Sequence, residues 1–80
     1  SPPATPRMVT INIAGGRKDK LRPGDILGAL TGDAGIAGEN VGKIDIFDLQ
    51  AFVAVDRTMA SRAMKGLAKI KGRAFKVRRV

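Results

Sequence analysis

The sequence predicts an α+β domain in the order β-α-β-β-α-β, with two helices covering one face of a four-stranded antiparallel sheet. Three observations carry this. Four segments alternate apolar and polar residues as strands do, two others repeat apolar residues at helical spacing, and 80 residues leave room for one small domain.

Ser1-Pro2-Pro3-Ala4-Thr5-Pro6 holds three of the four prolines, so residues 1–7 are expected to be a linker or expression remnant and residues 8–80 the folded domain. Val9-Thr10-Ile11-Asn12-Ile13 is β-branched and alternating, a first strand with Val9, Ile11 and Ile13 inward, and Gly15-Gly16 ends it. Pro23 suits the first turn of a helix, Asp25 complements its N-terminal dipole, and Ile26, Leu27 and Leu30 form its apolar side. Thr31-Gly32-Asp33 is the expected stop, followed by a loop over Gly35 to Asn40.

Lys43 to Phe47 and Gln50 to Val55 alternate again, and the Asp48-Leu49 turn between them makes a hairpin. Asp56 or Thr58 caps a second helix, whose stripe is Ala60, Ala63, Met64 and Leu67, with Arg62, Lys65 and Lys69 on the other side. Gly72 precedes a last strand over Arg73 to Val80, with Phe75 and Val77 inward. This is the ferredoxin-like split βαβ pattern, which leaves one sheet face open. The expected core comprises Ile11, Ile13, Leu27, Leu30, Ile44, Val53, Met64, Leu67 and Val77.

Charge is segregated along the chain. Residues 1–22 sum to +4, residues 23–56 to −5, and residues 57–80 carry nine Lys or Arg and no acid, for a net of +8. Cationic ends that meet in the fold select a polyanion, most commonly a nucleic-acid backbone. With neither Cys nor His, the chain has no disulfide framework, no Cys/His metal site and no thiol or imidazole catalyst. No catalytic residue and no metal ligand is assigned. No apolar run reaches the roughly 20 residues of a membrane span, and a cytoplasmic monomer is expected.

By alternation the open face holds Thr10, Asn12, Lys43, Asp45, Phe47, Gln50, Phe52, Lys76 and Arg78. Cations beside exposed aromatics suit base stacking with phosphate neutralisation. The third-strand signature of the RNA recognition motif, K/R-G-F/Y-G/A-F-V-x-F/Y, matches at Ala51, Phe52 and Val53, while Gln50 and Asn12 stand where stacking aromatics are usual. The plainer reading of Phe52 is a packed strand aromatic. In Gly15-Gly16-Arg17-Lys18-Asp19-Lys20 the glycines let backbone N–H groups approach phosphate oxygens while three cations converge; its plainer reading is a charged turn.

Two lookalikes carry less. Gly38 to Lys43 is one residue short of a Walker A spacing and is followed by Ile44 instead of Ser or Thr. Gly35-Ile36-Ala37-Gly38 fits the GXXG of a KH domain, which stays a minor alternative fold.

The stretch Gly15-Gly16-Arg17-Lys18-Asp19-Lys20-Leu21-Arg22-Pro23-Gly24-Asp25, with Val41-Gly42-Lys43-Ile44 and Lys69-Ile70-Lys71-Gly72-Arg73, resembles the C-terminal RNA-binding domain of bacterial DEAD-box protein A helicases from about Met8 to Val80. The resemblance implies a divergent, RRM-like domain that directs an ATP-dependent helicase to a hairpin of large-subunit (23S) ribosomal RNA during ribosome biogenesis. It carries over Arg17, Lys18, Lys20, Arg22, Lys43, Lys71 and Arg73 as the basic positions and Phe52 as the motif aromatic. ATP and Mg²⁺ would belong to the parent's helicase core and no cofactor to these residues. Two other classes remain: a module binding an acidic peptide or ribosomal protein through the open face, and an acylphosphatase-like enzyme on the same topology, disfavoured because no base or nucleophile constellation is evident.

Overall fold

The computed structural model describes residues 7–80, so the expected linker falls outside the described residues except for Arg7. Strand β1 (Met8–Ile13) lies inside an antiparallel sheet between β3 (Ala51–Asp56) and β6 (Val77–Arg79), with β2 (Val41–Ile46) on the far side of β3. A separate two-stranded ladder pairs β4 (Lys69–Ile70) with β5 (Arg73–Ala74). Helices α1 (Pro23–Gly28) and α2 (Ala60–Leu67) complete the α+β architecture.

Alternation sets the register. Ile11 opposes Val53 and Ile13 opposes Ala51, so one face of β1 and β3 delivers fully buried aliphatic side chains against the helices. Ile26 and Leu30 from the first helical segment and Ala63 and Leu67 from α2 close over them. Ile44, Met64 and Val77 are only partly buried at the margin of this core. Leu27 departs from expectation: it is 40% exposed, because Ile26, Ala29 and Leu30 occupy the inward arc of this helical segment.

Three further corrections concern boundaries. The first helix continues past Gly28 as a π-helical turn, Ala29–Asp33, in which Ala34 N–H donates to Ala29 O, and Gly35 at φ +66° then turns the chain. The widened turn carries the chain to Ile36, which is buried although it lies in the expected loop.

The last strand is split. Lys71 and Gly72 both have positive φ, 53° and 76°, and fold Lys69 to Ala74 into the side ladder, so only Val77–Arg79 pairs with β1. Phe75 bridges the two pieces, half-buried, with its N–H on Ala68 O. Finally, Asp56 caps a 3₁₀ turn, Arg57–Met59, that precedes α2. Its Oδ1 accepts from the Thr58 amide at 2.9 Å and the Thr58 hydroxyl at 2.6 Å, and these bonds, with Arg7 and Arg57 nearby, hold the carboxyl below the usual aspartate range.

Candidate nucleic-acid interface

The sheet face turned away from the helices is ordered in cross-strand rows. Asp45, Phe52, Asn12 and Arg78 stand opposite one another from β2 to β6, and Phe47 and Gln50 form the next row at the hairpin end. Phe47, 53% exposed, meets Phe52 edge-to-face at a centroid distance of 6.0 Å. Gln50 is exposed, Phe52 is half-buried, and Arg78 and Lys76 are exposed toward the opposite edge.

Asn12 spends its amide inside the sheet. Only 8% exposed, it donates its amide to Ala51 O at 3.3 Å and Gln50 Oε1 at 3.4 Å, bracing β1 to β3. Lys43 lies at an irregularity of β2. The register between β2 and β3 shifts between Val41 and Ile44, a bulge at Gly42-Lys43, and the Lys43 ammonium lies 3.7 Å from Asp45.

The basic loop is built differently from the expected phosphate cradle. Gly16 lies against the hairpin turn so closely that a Cβ there would overlap Phe47 O and Gln50 N. Its missing side chain serves this contact, and the amides of Arg17 and Lys18 donate to Phe47 O (2.7 Å) and Asp48 O (2.9 Å). Those donors are therefore spent on the protein itself, and anion attraction falls to the side chains. The Arg17 guanidinium reaches Ile46 O at 3.2 Å and Asp48 at 3.6 Å, while Lys18 and Lys20 are exposed.

Asp19, the acid within the loop, is structural. Its Oδ2 accepts from Gly16 N–H at 2.9 Å, and Oδ1 faces the Arg73 guanidinium at 3.4 Å. Arg73 also donates to Asp19 O and lies 5.3 Å from the centre of the Phe75 ring, so it braces the loop against the β4–β5 ladder. Lys71 extends from the tip of that ladder, 3.4 Å from Asp25, whose other oxygen accepts from Arg22 N–H at 3.0 Å. Arg17, Lys20, Arg22 and Lys71 thereby surround an open cleft of about 460 Å³ floored by buried Leu21. An isolated Leu between Lys20 and Arg22 was the available sequence signal for that floor.

The expected residues thus separate into a sheet group of Phe47, Gln50, Phe52, Lys76 and Arg78 and a loop group of Arg17, Lys18, Lys20, Arg22 and Lys71. The two join where Arg17 N–H meets Phe47 O. Nucleotide phosphates do not fit Gly38 to Lys43, because Gly38–Asn40 is a 3₁₀ turn running directly into strand β2, with no helix N-terminus behind it. Among the described residues no group of three or more acidic side chains is arranged for a metal, and no helix is long and apolar enough to cross a membrane.

Two comparisons bear on this surface. Residues 10–79 match the family model described as the DbpA RNA binding domain. The chain is also 49% identical over 73 residues to the ATP-dependent RNA helicase DbpA of Escherichia coli K12, an alignment covering 89% of this chain and 16% of that protein. It therefore spans about a sixth of the length of the curated relative it matches. With its basic loop locked onto the aromatic end of the sheet, and matched from the first strand to the last, this chain belongs to the DbpA RNA-binding domain family.

Proposed function

We propose that the domain is a divergent, ferredoxin-like RNA recognition motif that targets a DEAD-box ATP-dependent RNA helicase to a hairpin of 23S ribosomal RNA during ribosome assembly in the cytoplasm, acting as a monomer. The observation that carries this reading is the contact between two unlike surfaces: the Phe47–Phe52 pair, and the loop cations fastened beside it through Gly16. Unstacked loop bases fit exposed rings, and the phosphates of the same loop fit the adjoining Lys and Arg side chains. The resident chemistry is binding, so ATP and Mg²⁺ are assigned to the parent's helicase core. The 49% identity to a protein named as an ATP-dependent RNA helicase supports that parentage.

The test is amide chemical-shift mapping of this chain against a hairpin of the large-subunit peptidyl-transferase region, an unrelated hairpin and an acidic polypeptide. Perturbations centred on Arg17 to Arg22, Phe47 to Phe52 and Arg78, strongest with the ribosomal hairpin, are expected. Equal perturbation by both hairpins would remove the ribosomal assignment. A stronger response to the acidic polypeptide would make the domain a protein-interaction module.

A further inference from the structure

The helix side carries a second basic surface. Arg62 and Lys65 stand one turn apart on α2, on the side away from the buried Ala60, Ala63 and Leu67, and Lys69 follows as the first residue of β4. Together with Lys71 and Gly72 from the side ladder, and Asp33 and Ala34 from the end of the π turn, they line an open cleft of about 520 Å³. Beside it α2 presses close to the first helical segment: a Cβ on Gly66 would stand 2.8 Å from Ala34 Cβ and 3.3 Å from Ala29 O.

Its chemistry differs from the sheet. The lining contains no aromatic and no large apolar side chain, so it offers nothing for a base to stack on. Among the described residues Arg62, Lys65 and Lys69 make no ion pair, whereas Arg7, Arg17, Lys43, Lys71 and Arg73 each do. Asp33 is the one carboxylate in the lining. Three cations without an ion pair, two on α2 and one at the start of β4, with no stacking group beside them, suit a line of phosphates whose bases are paired and turned inward.

Lys71 also borders the loop cleft, so the two basic surfaces are continuous around the edge of the domain. We infer that the cleft between α2 and the side ladder is a second RNA-binding surface, one that takes the phosphate backbone of a duplex segment. Rotated away from the open sheet, it would grip a paired stem while the sheet and basic loop hold unpaired bases. It rests on the RNA-binding reading above but concerns other side chains and another nucleic-acid form.

The experiment measures binding of this 80-residue chain to a loop-free RNA duplex and to the ribosomal hairpin over a salt series. Arg62→Ala/Lys65→Ala/Lys69→Ala, shown folded by circular dichroism, is expected to bind the duplex at least about tenfold more weakly, with the slope of log K against log salt reduced by about 2–3. Lys65→Arg/Lys69→Arg should retain both values, and Phe52→Ala should leave duplex binding unchanged. Duplex affinity and slope unaltered in the folded triple variant would overturn the inference, as would a wild-type chain that does not bind the duplex. Hairpin mapping to the loop and sheet alongside either result would leave the proposed function standing. Loss of the hairpin response with the duplex effect intact would overturn that function and not the second surface.

Discussion

The basic loop and the open sheet meet at Phe47, yet they are built in opposite ways. In the loop the backbone is used up: the Arg17 and Lys18 amides bond to the hairpin turn and the Gly16 amide to Asp19, so what remains for a partner is side-chain charge. On the sheet the backbone is paired by the ladders, and part of the side-chain layer is also consumed, with Asn12 turned into a strut and Phe52 leaning on Phe47. The difference teaches that, on the function proposed above, affinity and base recognition are separable. The loop would then supply long-range, salt-sensitive attraction, and the sheet a small platform of two rings.

The largest effect should come from prying the two regions apart. Gly16→Val places atoms where Phe47 O and Gln50 N already are, and backbone on both sides leaves little room to yield. A loss of about 2–3 kcal/mol in denaturant unfolding, with weakened RNA binding, is expected. A variant of native stability would show that the loop docks loosely and that the two regions act independently.

Next in size is Arg17→Ala/Lys18→Ala/Lys20→Ala. Arg17 is shared with Asp48, so fewer than three full phosphate contacts are at stake, and the slope of log K against log salt should fall by about 1–2. Titrations of the ribosomal hairpin at several salt concentrations read it directly. An unchanged slope would move the electrostatic contact away from this loop.

Phe52→Ala sharpens the comparison from the other side. Stacking on an aromatic ring is worth about 1–3 kcal/mol per base, and it releases no counterions, so hairpin affinity should drop while the slope stays as in the parent chain. Phe52 also packs on Phe47, so circular dichroism of the variant comes first. A folded variant with full affinity would reduce the sheet to a scaffold for the loop.

The smallest effect is one that neither surface should share. Bonds from Thr58 depress the Asp56 carboxyl, so its stabilising contribution is present above the ordinary aspartate range and is lost as pH falls through the lowered value. Asp56→Ala is expected to lower the melting temperature at neutral pH, to flatten the acid limb of stability against pH, and to leave the salt slope for RNA untouched. A changed slope would mean that the cap is coupled to the interface.

Much of the architecture was legible because it rests on short-range patterns. Strict alternation in Val9 to Ile13 and Gln50 to Val55 is enough to place β1 and β3 and to sort their faces. What escaped depends on contacts far apart in sequence. Nothing local to Lys71-Gly72 announces that a non-glycine residue will take positive φ and break the last strand, since that follows from burying Ile70 and seating Phe75. Likewise Gly16 reads as a loop glycine until the turn at Asp48 is brought against it. Among the residues singled out from the sequence, the structure alone distinguishes Asn12 the strut and Arg73 the brace from cations such as Lys18 and Lys20 that remain exposed.

The bulge at Gly42-Lys43 has a consequence for the domain in isolation. An outer strand with a straight row of free N–H and C=O groups invites a second molecule to add to the sheet. Here β2 is bent by the bulge and carries Lys43 at the irregularity, and β6 on the other side is three residues long with Arg78 and Arg79 in it. Two copies approaching edge to edge would meet mismatched spacing at the β2 border and like charge at the β6 border. A bulge on one border and a three-residue, arginine-bearing strand on the other thus make both edges poor templates for strand addition.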